Sequence, residues 1–323
     1  MCTAIAFMQK HNFFGRTLDL EYHYKEEIVI TPANYRFHLR HEGDFRTESA
    51  IIGVATVKDS YPLYYDAINE HGLAMAGLNF VGNAKFMPKS KESVNLAQFE
   101  LIPYILGQSR SVYKAEEMLK NVRLINTPYS DTTPVSELHF FLTDGNISLA
   151  AEPEEDGFKI YDDPFGVLTN NPPFPYHREN LNNYMGLTRE KAENRFSKKL
   201  PLYNYSRGMG AMGLPGDLSS SSRFVRAAFA VANAAKLDTD ADSVGQVFHI
   251  LDFVKQTAGL VSVSGKCEKT QYSVCADLNT GTYYYKTYGN SRISAVRLTE
   301  ETKTSSALSR FPMKLDEDTD YIN

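Results

Sequence analysis

From the N-terminus the apolar positions fall in short runs separated by polar turns. Thr3 to Phe7, Glu27 to Thr31, Ile51 to Val57 and Leu73 to Phe80 each have the length and bounding residues of a strand. This spacing predicts a mainly β first part. The period then changes, with Phe99, Ile102, Tyr104 and Ile105 recurring at helical spacing, as do Val112, Ala115, Met118 and Leu119. Two amphipathic helices lying on a sheet are expected there. Strands resume at Leu138 to Thr143, Ile147 to Glu152, Phe158 to Tyr161 and Gly166 to Thr169, and a polar stretch from about Glu190 to Gly216 reads as long loop.

From Ser221 the run RFVRAAFAVANAAK has serines to cap it and an apolar face through Phe224, Ala228 and Val231, which predicts a helix. A second helix is expected from about Ser243 to Thr257, with Val244, Val247, Phe248 and Leu251 on one side. The end returns to β, with Gln271 to Asp277 and Thr282 to Tyr288 joined through Asn279, Thr280 and Gly281, followed by Ile293 to Leu298. Strands and helices in blocks disfavour a doubly wound parallel sheet and favour antiparallel sheets with helices packed outside. No Pro/Gly/Ser linker and no repeat divides this order, so one domain over residues 1–323 is expected.

Composition narrows the classes. With 323 residues and 42% hydrophobic positions, the chain can bury a core without disulfide or metal staples. Lys and Arg number 34 against 39 Asp and Glu, a formal net charge of -5, which gives no global attraction to nucleic acid or anionic lipid. Cys2, Cys267 and Cys275 are an odd count without C-x-x-C spacing, so neither a disulfide framework nor a thiolate metal site is expected. MCTAIAF gives way at once to QKHNFFGR, unlike a signal peptide, and no run approaches the roughly 18 apolar residues of a membrane span. A cytoplasmic protein is expected, and Asn146 and Asn204 then carry no glycosylation meaning.

Several motif-like strings fail on context. Gly208, Gly210 and Gly213 spell G-x-G-x-x-G, but Pro215 and Gly216 follow where a dinucleotide site needs a helix. Asp238, Asp240 and Asp242 imitate a calcium loop whose sixth and twelfth positions are Ser243 and His249 rather than Gly and Glu. His38, His41 and Glu42 lack metalloprotease spacing and read as a solvated loop, and G-x-S-x-G is absent. Neither a cofactor nor a metal is expected, and most of the Tyr and Phe rings are assigned to core.

Cys2 carries the candidate chemistry. Removal of Met1, which a small second residue permits, leaves a thiol and an α-amino group on one residue. The thiolate is a good nucleophile, and an α-amino group with a pKa of about 7.7–8.0 exchanges a proton near neutrality. Taken alone, the residue also fits an accidental cysteine. The turn after the first strand leads into FFGRTLDL, and a hairpin there brings Arg16 and Asp19 beside the terminus. An Arg near sulfur lowers the thiol pKa, and a carboxylate near the amine orients it. Without the cysteine, Arg16 and Asp19 would read as a surface ion pair.

These residues resemble the cholylglycine (choloylglycine) hydrolase family, a branch of the N-terminal nucleophile hydrolases that contains bile salt hydrolases and penicillin V acylases. The likeness runs through MCTAI, FGRTLDLEY, ITPANY, YPLYYDAINEHGLAMAGLNF, GVLTNNP, GMGAMGLPGDLSSSSRFVRAAF, QVFHIL and TYYYKTYGNSRISAV, in the family's order. The segment from about Thr188 to Tyr205 adds little. The resemblance implies an α+β fold, a four-layer αββα sandwich with Cys2 at the start of an inner strand. It also implies Cys2 as nucleophile after loss of Met1, Arg16 beside the thiol, Asp19 on the α-amino group and Asn79 in an oxyanion hole. Asn170 matches the family's second active-site Asn, and Arg223 a further active-site arginine.

The implied reaction is attack on a secondary amide and hydrolysis of the resulting thioester, with no cofactor or metal. Glycine- or taurine-conjugated bile acids are the implied substrate, favoured over penicillin V by Asn79, where penicillin-preferring members tend to carry Tyr. Leu20, Tyr22 and Tyr65 are candidate walls of an apolar acyl pocket, with core packing as the rival for each. Phe140 stands where many bile-salt-cleaving relatives have Trp. Family members are usually homotetramers. A noncatalytic amphiphile-binding protein is the reading from another class, against which stands the intact set of six polar residues.

Overall fold

Two antiparallel sheets face each other, and each carries helices on its outer side. The computed structural model describes all 323 residues. The chain opens with the hairpin of β1 (Cys2–Met8) and β2 (Asn12–Leu20), turned by the polar residues Gln9, Lys10 and His11. Then come β3 (Glu27–Thr31), the small hairpin of β4 (Arg36–Leu39) and β5 (Gly43–Arg46), and the meander β6 (Ile51–Lys58), β7 (Tyr61–Asn69) and β8 (Ala74–Asn79). A parallel pair, β9 (Val94–Ala97) and β10 (Val122–Ile125), brackets α1 (Leu101–Gln108) and α2 (Val112–Leu119). β11 (Leu138–Thr143), β12 (Ser148–Glu154), β13 (Gly157–Asp162) and β14 (Val167–Leu168) lead to α3 (Phe174–Leu181), α4 (Ser220–Asn233) and α5 (Asp240–Asp252). The chain ends with β15 (Val261–Val263), β16 (Lys266–Asp277), β17 (Thr282–Thr287), β18 (Asn290–Arg297), α6 (Glu300–Lys303) and β19 (Ser309–Pro312).

The first sheet has the order β14-β1-β2-β16-β17-β18, with β15 added to β16. The second runs β13-β12-β11-β8-β7-β6-β3-β19. One buried cluster joins the facing sheet surfaces to α4 and α5 through residues such as Phe14, Phe141, Phe224 and Val247. The other lies between the second sheet and α1 and α2, through Val29, Ile51, Leu101, Ile105 and Val112. The layers are therefore helix, sheet, sheet, helix, the four-layer αββα sandwich expected from the resemblance. Strands covered on both faces lose their polar alternation: every residue of β3 is buried.

Several elements depart from the sequence reading. The sequence pattern does not predict β7, because Tyr61, Pro62, Tyr64 and Tyr65 obscure its alternation, yet it is a central strand that carries the buried Asp66. The acidic stretch at Asp240 and Asp242 is the first turn of α5, capped by the Thr239 hydroxyl accepting from the Asp242 N–H at 3.1 Å. Acidic side chains complement the positive end of a helix, which accounts for these aspartates without a cation. His38 and Arg36 lie in the β4–β5 hairpin, where both meet Asp44. The glycine string holds only a 3-10 turn, Met209–Ala211, with Gly208 and Gly213 in the left-handed region. No strand precedes it, so no dinucleotide cradle is built there.

Candidate active site

The β1–β2 register sets the site. Cys2 pairs with Leu18 and Ala4 with Arg16, so alternation sends Cys2, Arg16 and Leu18 towards the second sheet and Thr3, Thr17 and Asp19 towards α4. The expected hairpin thus places both charges beside the terminus, on opposite faces.

On the inner face the fully buried Arg16 guanidinium lies 3.3 Å from the Cys2 Sγ through Nη2, which also donates to the Gly77 carbonyl at 2.9 Å. Its Nη1 donates to Asp66 Oδ2 at 2.5 Å. Asp66 further accepts from the Tyr272 hydroxyl at 2.5 Å and from the Tyr283 hydroxyl. Burial opposes the charge of Arg16, but Cys2 and Asp66 beside it more than offset this and raise its pKa above the ordinary value. Burial first, then the Asp66 charge, pushes both phenols well up, so they stay protonated and donating. A buried ion pair stabilises only when its remaining lone pairs are satisfied, and the two phenols do this for Asp66.

On the outer face Arg223, from the first turn of α4, is also fully buried. It donates to the Cys2 carbonyl at 2.5 Å, to Thr3 Oγ1 at 2.7 Å and to Asn170 Oδ1 at 2.7 Å. Asn170 Oδ1 also accepts from the Cys2 N–H at 2.8 Å, and its Nδ2 donates to the Asn79 carbonyl at 2.8 Å. Asn170 thereby ties the strand start of β1 to the end of β8. The carboxylate of Asp19 accepts from Thr270 Oγ1 at 2.6 Å and Thr17 Oγ1 at 3.3 Å. Met1 extends the hairpin by one rung, its carbonyl accepting from the Asp19 N–H at 2.8 Å.

Asn79 ends β8 partly exposed, and its side chain makes no hydrogen bond within the protein, which leaves its Nδ2 able to meet a ligand oxygen. Around Asn170 a second ring of polar residues fixes the turn after β14. Ser220 Oγ accepts from the Asn170 N–H at 2.8 Å, and His177 Nε2 donates to the Asn170 carbonyl at 2.8 Å. His139 Nε2 donates to the Thr169 carbonyl at 2.9 Å, its Nδ1 faces Glu152 Oε1 at 3.1 Å, and its ring stacks on Phe80 at 4.2 Å.

Burial pushes the His177 pKa down to about 4, so it is neutral and donates from Nε2. A histidine free to protonate near 6.5 when unfolded but only near 4 when folded stabilises the fold above pH 6.5, and this is lost as pH falls through 4. His177→Gln keeps a donor nitrogen without the titration. Its urea midpoint is expected to fall less than that of the unaltered protein between pH 6.5 and 4, and parallel declines would show that His177 does not contribute.

The proposed wall residues divide. Leu20, last in β2, and Tyr65 in β7 are half-buried against the inter-sheet cluster, and the Tyr65 hydroxyl is 3.0 Å from Thr56 Oγ1. Tyr22 lies beyond β2, 46% exposed, with Lys266 Nζ 4.1 Å from its ring centroid. It is a surface aromatic under a lysine rather than an enclosed wall. A depression of about 490 Å³ rimmed by Arg189, Glu190, Tyr205 and Arg207 shares no residue with the Cys2 constellation, and its polar lining suits no apolar acyl group. Phe140 is fully buried in the cluster between the second sheet and α1 and α2, edge-on to Phe158. Sequence reading misses Asp66, Glu268, Thr270, Tyr272, Tyr283, His139 and His177. For Asp66 a signal is present, an acid inside the aromatic and aliphatic run YPLYYDAIN, where burial demands a cation.

Comparison with known proteins identifies the family. The model of the linear amide C–N hydrolases, choloylglycine hydrolase family, matches residues 2–309. A bile salt hydrolase/transferase of Lactiplantibacillus plantarum is 47% identical over 97% of this chain and 97% of its own. A crystal structure of a conjugated bile acid hydrolase from Clostridium perfringens superposes with a TM-score of 0.91 at 30% identity, covering 100% of both chains. Penicillin V acylase from Agrobacterium tumefaciens shares the fold, with a TM-score of 0.76 at 18% identity over 96% of this chain and 91% of that one. The chain belongs to the choloylglycine hydrolase family and is a hydrolase of linear amide C–N bonds.

Proposed function

We propose that the protein, as one domain from Cys2 onward after loss of Met1, cleaves the amide bond of glycine- or taurine-conjugated bile acids. The observation that carries the reading is the buried Arg16 guanidinium 3.3 Å from the Cys2 Sγ, at the terminus of a linear amide hydrolase. Relatives covering nearly the whole chain are named for bile salts, and Asn79 supports the same substrate class.

In this reading Arg16 stabilises the Cys2 thiolate, which attacks the amide carbonyl. The Asn79 amide donates to the developing oxyanion. Asn170 and Arg223 hold the Cys2 backbone, and the Asp19 carboxylate, itself held by Thr17 and Thr270, serves the α-amino group once Met1 is gone. The C–N bond breaks as the α-ammonium gives its proton to the departing glycine or taurine nitrogen, leaving a thioester on Cys2. The neutral amine then takes a proton from water, whose oxygen attacks the thioester carbonyl, releasing the bile acid and restoring the thiolate. Leu20 and Tyr65 contact the apolar acyl group in this reading. The protein acts in the cytoplasm as a homotetramer. Support for assembly comes from residues 185–212, which leave Met185, Phe196, Tyr203, Tyr205 and Met212 exposed in one segment.

The test is parallel hydrolysis of glycocholate, taurocholate and penicillin V by the mature protein and by Cys2→Ser. Cys2-dependent cleavage of the bile salts ahead of penicillin V is expected, and preference for penicillin V would overturn the substrate. Because Phe140 faces α1 and α2, Phe140→Trp is expected to overfill that layer and cost about 1–3 kcal/mol. The ratio of rates on the three substrates should stay unchanged. A changed ratio would show that this layer shapes the pocket.

A further inference from the structure

Glu268, on β16, has no part in the steps above, and it is an unusual residue. Its carboxylate is 5% exposed, Oε2 accepts from the Met1 ammonium at 2.9 Å, and Oε1 is buried without a partner. The same ammonium donates to the Asp19 carbonyl at 2.5 Å. Loss of Met1 therefore takes from a buried carboxylate its only cation in direct contact, and an unpaired buried charge is costly.

The replacement cation is one backbone step away. Standard bond lengths place successive backbone nitrogens about 3–3.6 Å apart, so a water displaced by a few tenths of an ångström from the Met1 nitrogen position reaches hydrogen-bond distance of the Cys2 nitrogen. A water at the position of the Met1 ammonium would have three partners: the Cys2 α-ammonium, the Asp19 carbonyl and Glu268 Oε2. Polar sites that offer two to four partners hold ordered water.

The placement of charges points the same way. Arg16 is neutralised by Asp66, whereas every hydrogen-bond acceptor of Arg223 is neutral: the Cys2 and Leu218 carbonyls, Thr3 Oγ1 and Asn170 Oδ1. The mature terminus thus adds an ammonium beside an unneutralised Arg223. Two buried carboxylates, Asp19 and Glu268, face these two cations from β2 and β16, while the Cys2 thiolate lies against Arg16.

We propose that Glu268 is a positioning residue of the mature site, holding the Cys2 α-ammonium through one water. The proposal rests on the reading of Cys2 as the N-terminal nucleophile. The charged and titratable groups on the elements packed around the Cys2 amine and thiol are Arg16 and Asp19 from β2, Asp66 from β7, Arg223 from α4, Glu268 and Tyr272 from β16 and Tyr283 from β17. Removing only the Glu268 charge makes both the ammonium and the thiol lose their protons more easily. The acidic limb of reactivity moves to lower pH whichever of the two sets it.

The experiment compares mature protein, Glu268→Gln and Glu268→Asp. Alkylation of Cys2 by iodoacetamide is followed against pH by peptide mass, which separates it from Cys267 and Cys275, and kcat/KM for glycocholate is measured over the same range. The acidic limb is expected about one unit lower in Glu268→Gln in both profiles, and at its original place in Glu268→Asp. Coincident limbs in folded Glu268→Gln would overturn the proposal. Alkylation needs no bile acid, so a shifted alkylation limb without glycocholate cleavage would support Glu268 while overturning the substrate. Should Glu268→Gln not fold, a crystal structure of the mature unaltered protein decides. A water bridging Cys2 N, the Asp19 carbonyl and Glu268 supports the proposal, and a Glu268 side chain turned to solvent overturns it.

Discussion

Protein that retains Met1 is expected to fold as well as the mature form and to hydrolyse amides at least about a thousandfold more slowly. Folding is undisturbed because Met1 is accommodated: its ammonium meets Glu268 and the Asp19 carbonyl, and its own carbonyl accepts from the Asp19 N–H. Chemistry is lost because a peptide nitrogen has no basic lone pair. The Cys2 N–H then donates to Asn170 Oδ1 and can neither take the thiol proton nor return one to a leaving amine. General acid and base steps contribute roughly 10²–10⁴-fold, and here one group performs both. The check is expression with methionine aminopeptidase inhibited, intact mass to show Met1, then thermal unfolding and initial rates. Equal turnover by the Met1-bearing protein would remove the α-amino group from the mechanism.

Asp66→Ala is expected to cost about 3–5 kcal/mol and to remove most activity with it. The substitution leaves Arg16 buried without its carboxylate and takes the acceptor from the Tyr272 and Tyr283 hydroxyls. Unpaired buried charge is the larger penalty, and the guanidinium keeps only the Gly77 carbonyl and the Cys2 sulfur to hold it in place. A double variant, Arg16→Met with Asp66→Leu, separates the two effects. Apolar replacement of a buried ion pair is often close to neutral for stability, so the urea midpoint should largely recover while hydrolysis stays low. Recovery of both would make Arg16 a structural residue only, whereas failure to regain stability would point to the phenol network as the larger contribution.

How far the sequence can be read follows from what each residue touches. The β1–β2 hairpin is legible because its partners are close in sequence and are joined by the short polar turn Gln9 to His11, although both strands are buried on both faces. That pairing alone puts Arg16 and Asp19 at the terminus. β7 is illegible because both its faces are covered, so tyrosines and aliphatics replace the polar alternation that marks a strand. Its Asp66, which fixes Arg16, lies hidden with it. The pattern starts α5 three residues late, at Ser243 rather than Asp240, since Asp240 and Asp242 imitate a calcium loop instead of announcing a helix start.

Asn79, Asn170 and Arg223 are legible only through family likeness, because their meeting point brings together three segments far apart in sequence. Even then the likeness does not say that the Asn170 amide is engaged with Cys2, Arg223 and Asn79 while the Asn79 side chain is free of internal partners. Glu268 and Thr270 sit on a strand whose pattern is readable only from Gln271 onward, and the polar start of β16 is enough to hide them. Phe140 shows the converse. A departure from the family pattern draws attention in the sequence, and the structure places it on the far face of the second sheet.

The central claim is that the acyl group passes through a thioester on an N-terminal Cys2. Its most direct test is peptide mass analysis of mature protein mixed with glycocholate and quenched in acid within the first turnovers. The expected result is one cholyl group, labile to hydroxylamine, on the peptide that begins at Cys2 and lacks Met1. A cholyl group on another residue, or turnover with that peptide still carrying Met1, would contradict the account.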